Sequence, residues 1–424
     1  MDETGIVPRK AALDLVCAVT EDGKLLSELL PRAVEKLPPK DRARAQRLAT
    51  ETLRWASRAD RVLGPYLRNR PYARVHNMLR LAVYEMCGEG SAAHGVVNAA
   101  VEIMKASPTY SRHAGLCNAV LRKVAASGVD WVALPDPVLP KWLRKPLVAD
   151  YGKQVVAAME RSHAAAAPLD ITLRQPNAVL AEAPGAQLLP TGSLRLANSG
   201  QVTALPGYAD GDWWVQDAAA AVPARVLRPK PGERILDLCA APGGKTLQLA
   251  AAGAKVTALD VSERRLERVG ENLARTRMSA EIVAADALEW QPEAPFDAIL
   301  LDAPCSATGT LRRHPDLPFA KDGSEFPALF ELQRQLIDRA VNWLRPGGRL
   351  VYCTCSLLID EGEEQLRDAL QRHPSLQVDT EALHVPGIDP AWIDADGGLR
   401  LRPDFWADIG GMDGFYIAAL QKKG

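Results

Sequence analysis

Two cysteines stand in settings that suit covalent chemistry. One follows a proline in Asp302-Ala-Pro-Cys305-Ser306, and the other is flanked by hydroxyl residues in Thr354-Cys355-Ser356. Each motif closes an apolar run that reads as a strand, Phe296 to Asp302 and Gly348 to Cys355. A cysteine is more often a small core hydrophobe than a reagent. Polar, proline- or serine-flanked strand ends favour the reagent, because such ends in a parallel sheet converge on one crevice. A thiolate there can add to carbon 6 of a cytosine, and the adduct has enamine character at carbon 5, which can then take a methyl group. Asp302 is placed to stabilise that adduct near ring nitrogen 3, protonated or hydrogen-bonding through its carboxyl group. Loss of the carbon-5 proton expels the thiolate, and a second cysteine can assist.

A methyl donor has a candidate site in the same half of the chain. Ile235-Leu-Asp-Leu reads as a short strand, then the turn Cys239-Ala240-Ala241-Pro242-Gly243-Gly244-Lys245 leads into a helical pattern. The glycines let backbone approach a ligand, and a helix start offers unpaired N–H groups to a carboxylate. The turn is neither G-x-G-x-x-G nor a Walker A sequence, and by itself it is a weak signal. Asp260 closes the next strand about 20 residues on, where an acid accepts from two ribose hydroxyls. Asp286 closes a third and is placed for an adenine amino group. A lone aspartate at a strand end is usually a turn residue; three at successive strand ends, with Asp302, are harder to dismiss.

The elements that must position these groups fall into three stretches. Residues 1–130 read as helices: Ala11 to Val19, Ala43 to Leu67, Val75 to Cys87 and Val96 to Lys105 carry apolar residues at three- and four-residue spacing, with Asp41 as an N-cap. Arg42, Arg44, Arg47, Arg54, Arg58 and Arg61 lie along the second of these, either a solvated face or a phosphate-binding stripe. A proline-rich linker follows, and residues 139–225 read as a small α+β insert with strands at Ile171-Thr-Leu-Arg and Trp213-Trp-Val-Gln. Strands and helices alternate over 226–424, which predicts an α/β, doubly wound, Rossmann-like domain.

A length of 424 residues implies more than one core, and 47% hydrophobic with 24% charged residues excludes a disordered or fibrous chain. No apolar run reaches membrane-spanning length and the start is not a signal peptide, so the expectation is a cytoplasmic protein without a membrane partner. Seven scattered cysteines argue against a disulfide framework, and Cys353-x-Cys355 lacks a zinc-knuckle spacer, so no metal is expected. The net charge of -1 hides an asymmetry: residues 1–128 carry 20 Lys and Arg against 13 Asp and Glu, the remainder 31 against 39. Such a split suits a polyanion partner at one end, though a helical surface reaches it by chance.

Leu79-Arg-Leu-Ala-Val-Tyr-Glu-Met, His94-Gly-Val-Val-Asn-Ala-Ala-Val-Glu and Gly115-Leu-Cys-Asn-Ala-Val-Leu-Arg together resemble the NusB-type all-helical RNA-binding domain. Leu236-Asp-Leu-Cys-Ala-Ala-Pro-Gly-Gly-Lys-Thr246, Leu301-Asp-Ala-Pro-Cys-Ser-Ala-Thr-Gly309, Arg312-Arg-His-Pro-Asp316 and Tyr352-Cys-Thr-Cys-Ser356 resemble the RNA cytosine-5 methyltransferases of the Nol/Nop/Sun family. With the NusB-like start, the chain is similar to that family's bacterial small-subunit (16S) ribosomal RNA enzymes of the Sun/Fmu type. Leu173-Arg-Gln-Pro-Asn and Val215-Gln-Asp-Ala-Ala look like the family's RNA-binding insert, and Met412-Asp-Gly-Phe-Tyr-Ile-Ala like its terminal hairpin.

The resemblance implies a class I fold, S-adenosyl-L-methionine as cofactor and ribosomal RNA as partner for a monomer. It implies Cys355 as nucleophile and Cys305 as the residue aiding release, where DNA cytosine methyltransferases attack with the Pro-Cys cysteine. Transfer RNA as substrate, a non-catalytic scaffold and a dehydrogenase are the competing readings. A scaffold would be expected to lose Asp302, Cys305 or Cys355, and a dehydrogenase would want G-x-G-x-x-G.

Overall fold

The computed structural model describes residues 5–175, 185–197 and 201–424. Pro176 and Asn177 of the Leu173-Arg-Gln-Pro-Asn motif lie outside the described residues. Two compact units emerge, one of residues 1–166 with 311–323, the other of 167–310 with 324–424.

The first unit is helical: α1 (Ile6–Asp22), α2 (Leu26–Ala33), α3 (Pro39–Arg54), α4 (Ala56–Leu63), α5 (Ala73–Val83), α6 (Ala93–Lys105), α7 (Ala114–Ala126), α8 (Lys141–Tyr151) and α9 (Lys153–Ala164). Ala12, Leu13, Val16 and Val19 of α1 bury one face, and Gly23 ends the helix in the left-handed region at φ 67°. The stretch expected as one helix from Ala43 to Leu67 breaks at Trp55 into α3 and α4. Asp41 is not its cap: α3 begins at Pro39, whose ring sets φ for a first turn and whose missing N–H costs nothing there.

The arginine row is structural in part. Arg54 and Arg58 are buried, Arg54 donating to the His163 carbonyl and Arg58 to the carbonyls of Pro135 and Trp131. Arg44 pairs with buried Glu85, and Arg47 with Glu89. Arg42, Arg47 and Arg61 are exposed. The Arg312-to-Asp316 motif groups with this unit too: Asp316 accepts the Leu26 N–H at 2.8 Å, and helix Leu317–Ala320 packs on α1.

The second unit holds two sheets. β1 (Leu169–Leu173), β2 (Ala186–Leu188), β3 (Leu194–Leu196) and β4 (Trp213–Val215) form an antiparallel sheet in the order β2-β3-β1-β4. The stretch 139–225 thus divides, α8 and α9 grouping with the first unit and this sheet with the second. The larger sheet contains β5 (Arg234–Leu238), β6 (Lys255–Asp260), β7 (Glu281–Ala284), β8 (Phe296–Asp302), β9 (Leu344–Thr354), β10 (Leu376–Val378), β11 (Leu399–Leu401) and β12 (Phe415–Lys422). Its order is β10-β12-β9-β8-β5-β6-β7, with β11 also on β12.

β5 to β9 run parallel, and β12 enters antiparallel to β9. Ile235, Leu236 and Leu238, like Ile299, Leu300 and Leu301, are fully buried, as near-continuous apolar runs must be in a parallel sheet covered on both faces. Burying each such side chain contributes about 1.5–3 kcal/mol, which fixes the strands whose ends carry the chemistry. No helix among the described residues is long and apolar enough to cross a membrane.

Candidate active site

The chain reverses its course across the sheet at β5, which has β6 on one side and β8 on the other. A crevice outside the carboxyl ends of the strands opens at such a point. The turn after β5 is fixed by its neighbour: the N–H groups of Cys239 and Ala240 donate to the Leu259 carbonyl at 2.8 and 3.0 Å. Gly243 sits at φ 101°, a conformation that favours glycine, and a Cβ there would also press on Val269 at 3.2 Å. Cys239 also lies at positive φ, 65°.

Asp260 ends β6 beside this turn and is 2% exposed. Its Oδ2 accepts the Ala241 N–H at 3.1 Å, and its Oδ1 the Ser262 N–H at 3.0 Å. A carboxylate has about four acceptor sites, and with Arg265 Nη1 3.6 Å from Oδ2, capacity for hydroxyl donors remains chiefly on Oδ1. Asp286 lies two residues beyond β7 rather than on it; it is exposed, and its Oδ1 accepts the Leu288 N–H at 2.8 Å. Asp237, inside β5, takes the Thr246 hydroxyl on Oδ2, while its Oδ1 is buried without a partner. Burial pushes its carboxyl group up to about 7.

Lys245 binds differently from the expectation that placed it only against a cofactor. Its Nζ stands 2.7 Å from Asp302 Oδ2, and it lies 5.3 Å from the centre of the Phe415 ring. Burial works against its charge, but the Asp302 carboxylate prevails and holds it above the ordinary lysine value. Asp302 Oδ1 accepts from the Cys353 thiol at 3.5 Å. Asp302 is therefore an acceptor on both oxygens. A hydrogen bond offered from this pair would come from Lys245.

Cys305 and Cys355 meet although 50 residues separate them, with 3.5 Å between their Sγ atoms. β8 and β9 are adjacent parallel strands, so the segments that leave their ends run side by side. Both cysteines are half-buried. The Cys305 thiol is raised well above its ordinary value, first by its hydrogen bond with Cys355, then by burial. The two segments are tied by groups that the motifs did not single out. Gly309 N–H donates to the Cys355 carbonyl at 2.9 Å, and the hydroxyls of Ser306, Thr308 and Ser356 lie 3.1–3.2 Å from one another. Glu361 and Gln333, both fully buried, join the same network. Glu361 had a sequence signal only in being an acid shortly after Cys355; Gln333 had none.

Fold and site together define a class I S-adenosylmethionine-dependent methyltransferase domain, preceded by a NusB-type helical domain. The family described as 16S rRNA methyltransferase RsmB/F matches residues 224–421, and the NusB family matches residues 7–126. Ribosomal RNA small subunit methyltransferase B of Pseudomonas putida is 36% identical, with 98% of each chain covered. The protein of the same name from Xanthomonas campestris is 38% identical over 88% of this chain and 90% of its own. The crystal structure of PH0851 has the same fold, with a TM-score of 0.74 at 24% identity, covering 98% of this chain and 99% of that one. The crystal structure of NSun6 from Pyrococcus horikoshii shares the fold with a TM-score of 0.59 at 20% identity, over 67% of this chain and 98% of its own.

The chain belongs to the RsmB/F family of 16S rRNA methyltransferases.

Proposed function

We propose that this protein methylates carbon 5 of a cytosine in RNA, small-subunit ribosomal RNA being the substrate, through a covalent adduct to Cys355. The observation that carries the reading is the 3.5 Å approach of the Cys305 and Cys355 sulfurs at the ends of adjacent parallel strands. The names of the relatives, ribosomal RNA small subunit methyltransferase B, support the choice of RNA.

S-adenosylmethionine supplies the methyl group as an electrophilic sulfonium. The residues fit such a group: a turn whose Gly243, at φ 101°, disfavours any side chain, and Asp260, whose carboxylate keeps acceptor capacity beyond its two backbone bonds. Cys239 to Gly244, Asp260 and Asp286 would hold it, and Lys245 and Asp302 would bound the site on the substrate side.

Cys355 acts as the thiolate, forming the S–C6 bond and moving the ring electrons toward nitrogen 3 and carbon 5. The Lys245–Asp302 pair offers positive charge and a hydrogen bond where ring nitrogen 3 becomes electron-rich; carbon 5 gains the methyl group as the donor's S–CH3 bond breaks and its sulfur leaves as a neutral thioether. In release, the carbon-5 proton passes to water and its electron pair forms the C5–C6 double bond. The S–C6 pair returns to Cys355. Cys305, held as a thiol, donates a hydrogen bond to that departing sulfur.

One denaturing gel tests the assignment, with Cys355→Ala and Cys305→Ala proteins, radiolabelled RNA and S-adenosylmethionine. Cys355→Ala should give neither methylated product nor adduct. Cys305→Ala should accumulate a protein–RNA adduct that survives denaturation. The opposite pattern would exchange the two roles, as in DNA cytosine methyltransferases. Bisulfite sequencing of ribosomal and transfer RNA from a deletion strain identifies the substrate; a lost methylcytosine in transfer RNA alone would move it there.

A further inference from the structure

We infer that Glu361 is a positioning residue that keeps Cys305 in register with Cys355 while the product is released. The inference rests on the covalent reading above, and it concerns a side chain that touches neither sulfur. Glu361 follows β9 by seven residues and is fully buried. Its two carboxyl oxygens act on the Cys305 segment. Oε1 accepts the Ser306 N–H at 2.9 Å and the Gln333 amide at 3.0 Å, and Oε2 accepts the Ser306 hydroxyl. Gln333 in turn donates to the Pro304 carbonyl at 2.8 Å. Both chain neighbours of Cys305 are thus anchored, one directly and one through Gln333.

The backbone of the same residue serves the other cysteine. The Glu361 carbonyl accepts the Thr354 hydroxyl at 3.0 Å and the Tyr352 hydroxyl at 2.8 Å. Ser356, on the far side of Cys355, lies 3.1 Å from the Ser306 hydroxyl that Glu361 holds. One buried residue therefore reaches the flanks of both cysteines, from two segments 50 residues apart.

Packing alone does not require a carboxyl group here. A buried acid costs free energy unless its acceptor sites are filled, and an apolar residue of similar volume would fill the space without that demand. What the carboxyl group adds is direction: two oxygens fix both the amide and the hydroxyl of the residue after Cys305. A displacement of about 1 Å between reacting groups can cost about 100-fold in rate. Its charge also contributes to the raised Cys305 thiol, after the Cys355 hydrogen bond and burial. In release, the S–C6 bond breaks and its electron pair settles on Cys355. A Cys305 thiol held at 3.5 Å can stabilise that sulfur, and one that drifts cannot.

The test uses the full-length protein, RNA substrate and S-adenosylmethionine, reading adduct formation, methyl turnover and melting temperature together. In Glu361→Ala, adduct should form at close to the wild-type rate but persist, with kcat down about tenfold and KM within about twofold. Glu361→Gln should recover most of the turnover, because an amide oxygen can keep the Ser306 N–H while its nitrogen faces the Ser306 hydroxyl. The double variant Glu361→Ala/Cys305→Ala should hold no more adduct than Cys305→Ala alone, since one acts through the other. If Glu361→Ala fails to fold, Ser306→Ala, which keeps the N–H arm but loses the hydroxyl's contacts with Glu361, Thr308 and Ser356, should show the same bias a few-fold.

Equal loss of adduct formation and turnover would assign Glu361 to packing and overturn the inference. So would a wild-type adduct level in soluble Glu361→Ala or Ser306→Ala. If Cys305→Ala traps RNA while these variants do not, the inference alone falls. If Cys305→Ala does not trap RNA, the covalent assignment fails and takes the inference with it.

Discussion

Lys245 Nζ and Asp302 Oδ2 stand 2.7 Å apart, joining the helix that follows the glycine turn to the end of β8. The pair ties the glycine turn after β5 to the strand end that leads to Cys305. Removing either partner leaves a largely buried charge without its counterion. Lys245→Met and Asp302→Asn should each lower stability and activity. Denaturant unfolding of both single variants and the double should give a coupling energy of about 1–3 kcal/mol. Strict additivity would mean that the pair does not act as a unit.

Asp260→Ala should weaken S-adenosylmethionine binding, by roughly 1.5–3 kcal/mol for each charge-assisted hydrogen bond removed. The structure adds a second effect, because Asp260 also accepts the Ala241 and Ser262 N–H groups that shape the turn. Titration calorimetry reads the first, and the melting temperature of the unliganded protein the second. Unchanged affinity with a lowered melting temperature would leave Asp260 as a scaffold for the turn only.

Asp237 should make stability pH-dependent. Its carboxyl group is pushed up to about 7 by burial, from an ordinary value near 4. Between those values the folded chain keeps a proton that the unfolded chain has lost, so this group's contribution falls as pH rises from about 4 to about 7. Asp237→Asn, which can still accept the Thr246 hydroxyl, should unfold at higher urea than wild type at pH 8, by up to about 4 kcal/mol at 1.36 kcal/mol per unit. The advantage should shrink at pH 5. A difference that does not change with pH would show an aspartate that ionises normally.

Of the arginine row, Arg44, Arg47, Arg54 and Arg58 are engaged within the helical unit. Arg61, Arg68 and Arg70 are exposed and close in sequence. Replacing all three by Gln should weaken RNA binding and flatten its salt dependence, by about 0.7 in slope for each phosphate that is no longer neutralised. Filter binding across a salt series measures this. An unchanged slope would place RNA binding on other surfaces.

Much of the site was legible because its chemistry is local in sequence. The turn from Cys239 to Lys245, the acids Asp260 and Asp302 and the two cysteines each close a strand-like run, and a parallel sheet brings such ends together. β5 to β9 were legible for the same reason, as short apolar runs with turn residues between them. Local pattern also misled at the edges of elements. Asp41 has the type of an N-cap, but the proline two positions earlier starts the helix. The arginine row has the spacing of a surface stripe, but packing against the Trp131–Asp136 and His163 segments buries Arg54 and Arg58.

The sequence by itself determined which residue types stand at which strand ends, because periodicity and turn chemistry act over a few residues. Only the tertiary structure decided which of them meet. That Lys245 turns to Asp302, that Cys305 and Cys355 face each other, and that Glu361 anchors the flanks of both depend on strand order and register. Those follow from how buried faces pack between segments far apart in the chain, and no local pattern encodes them.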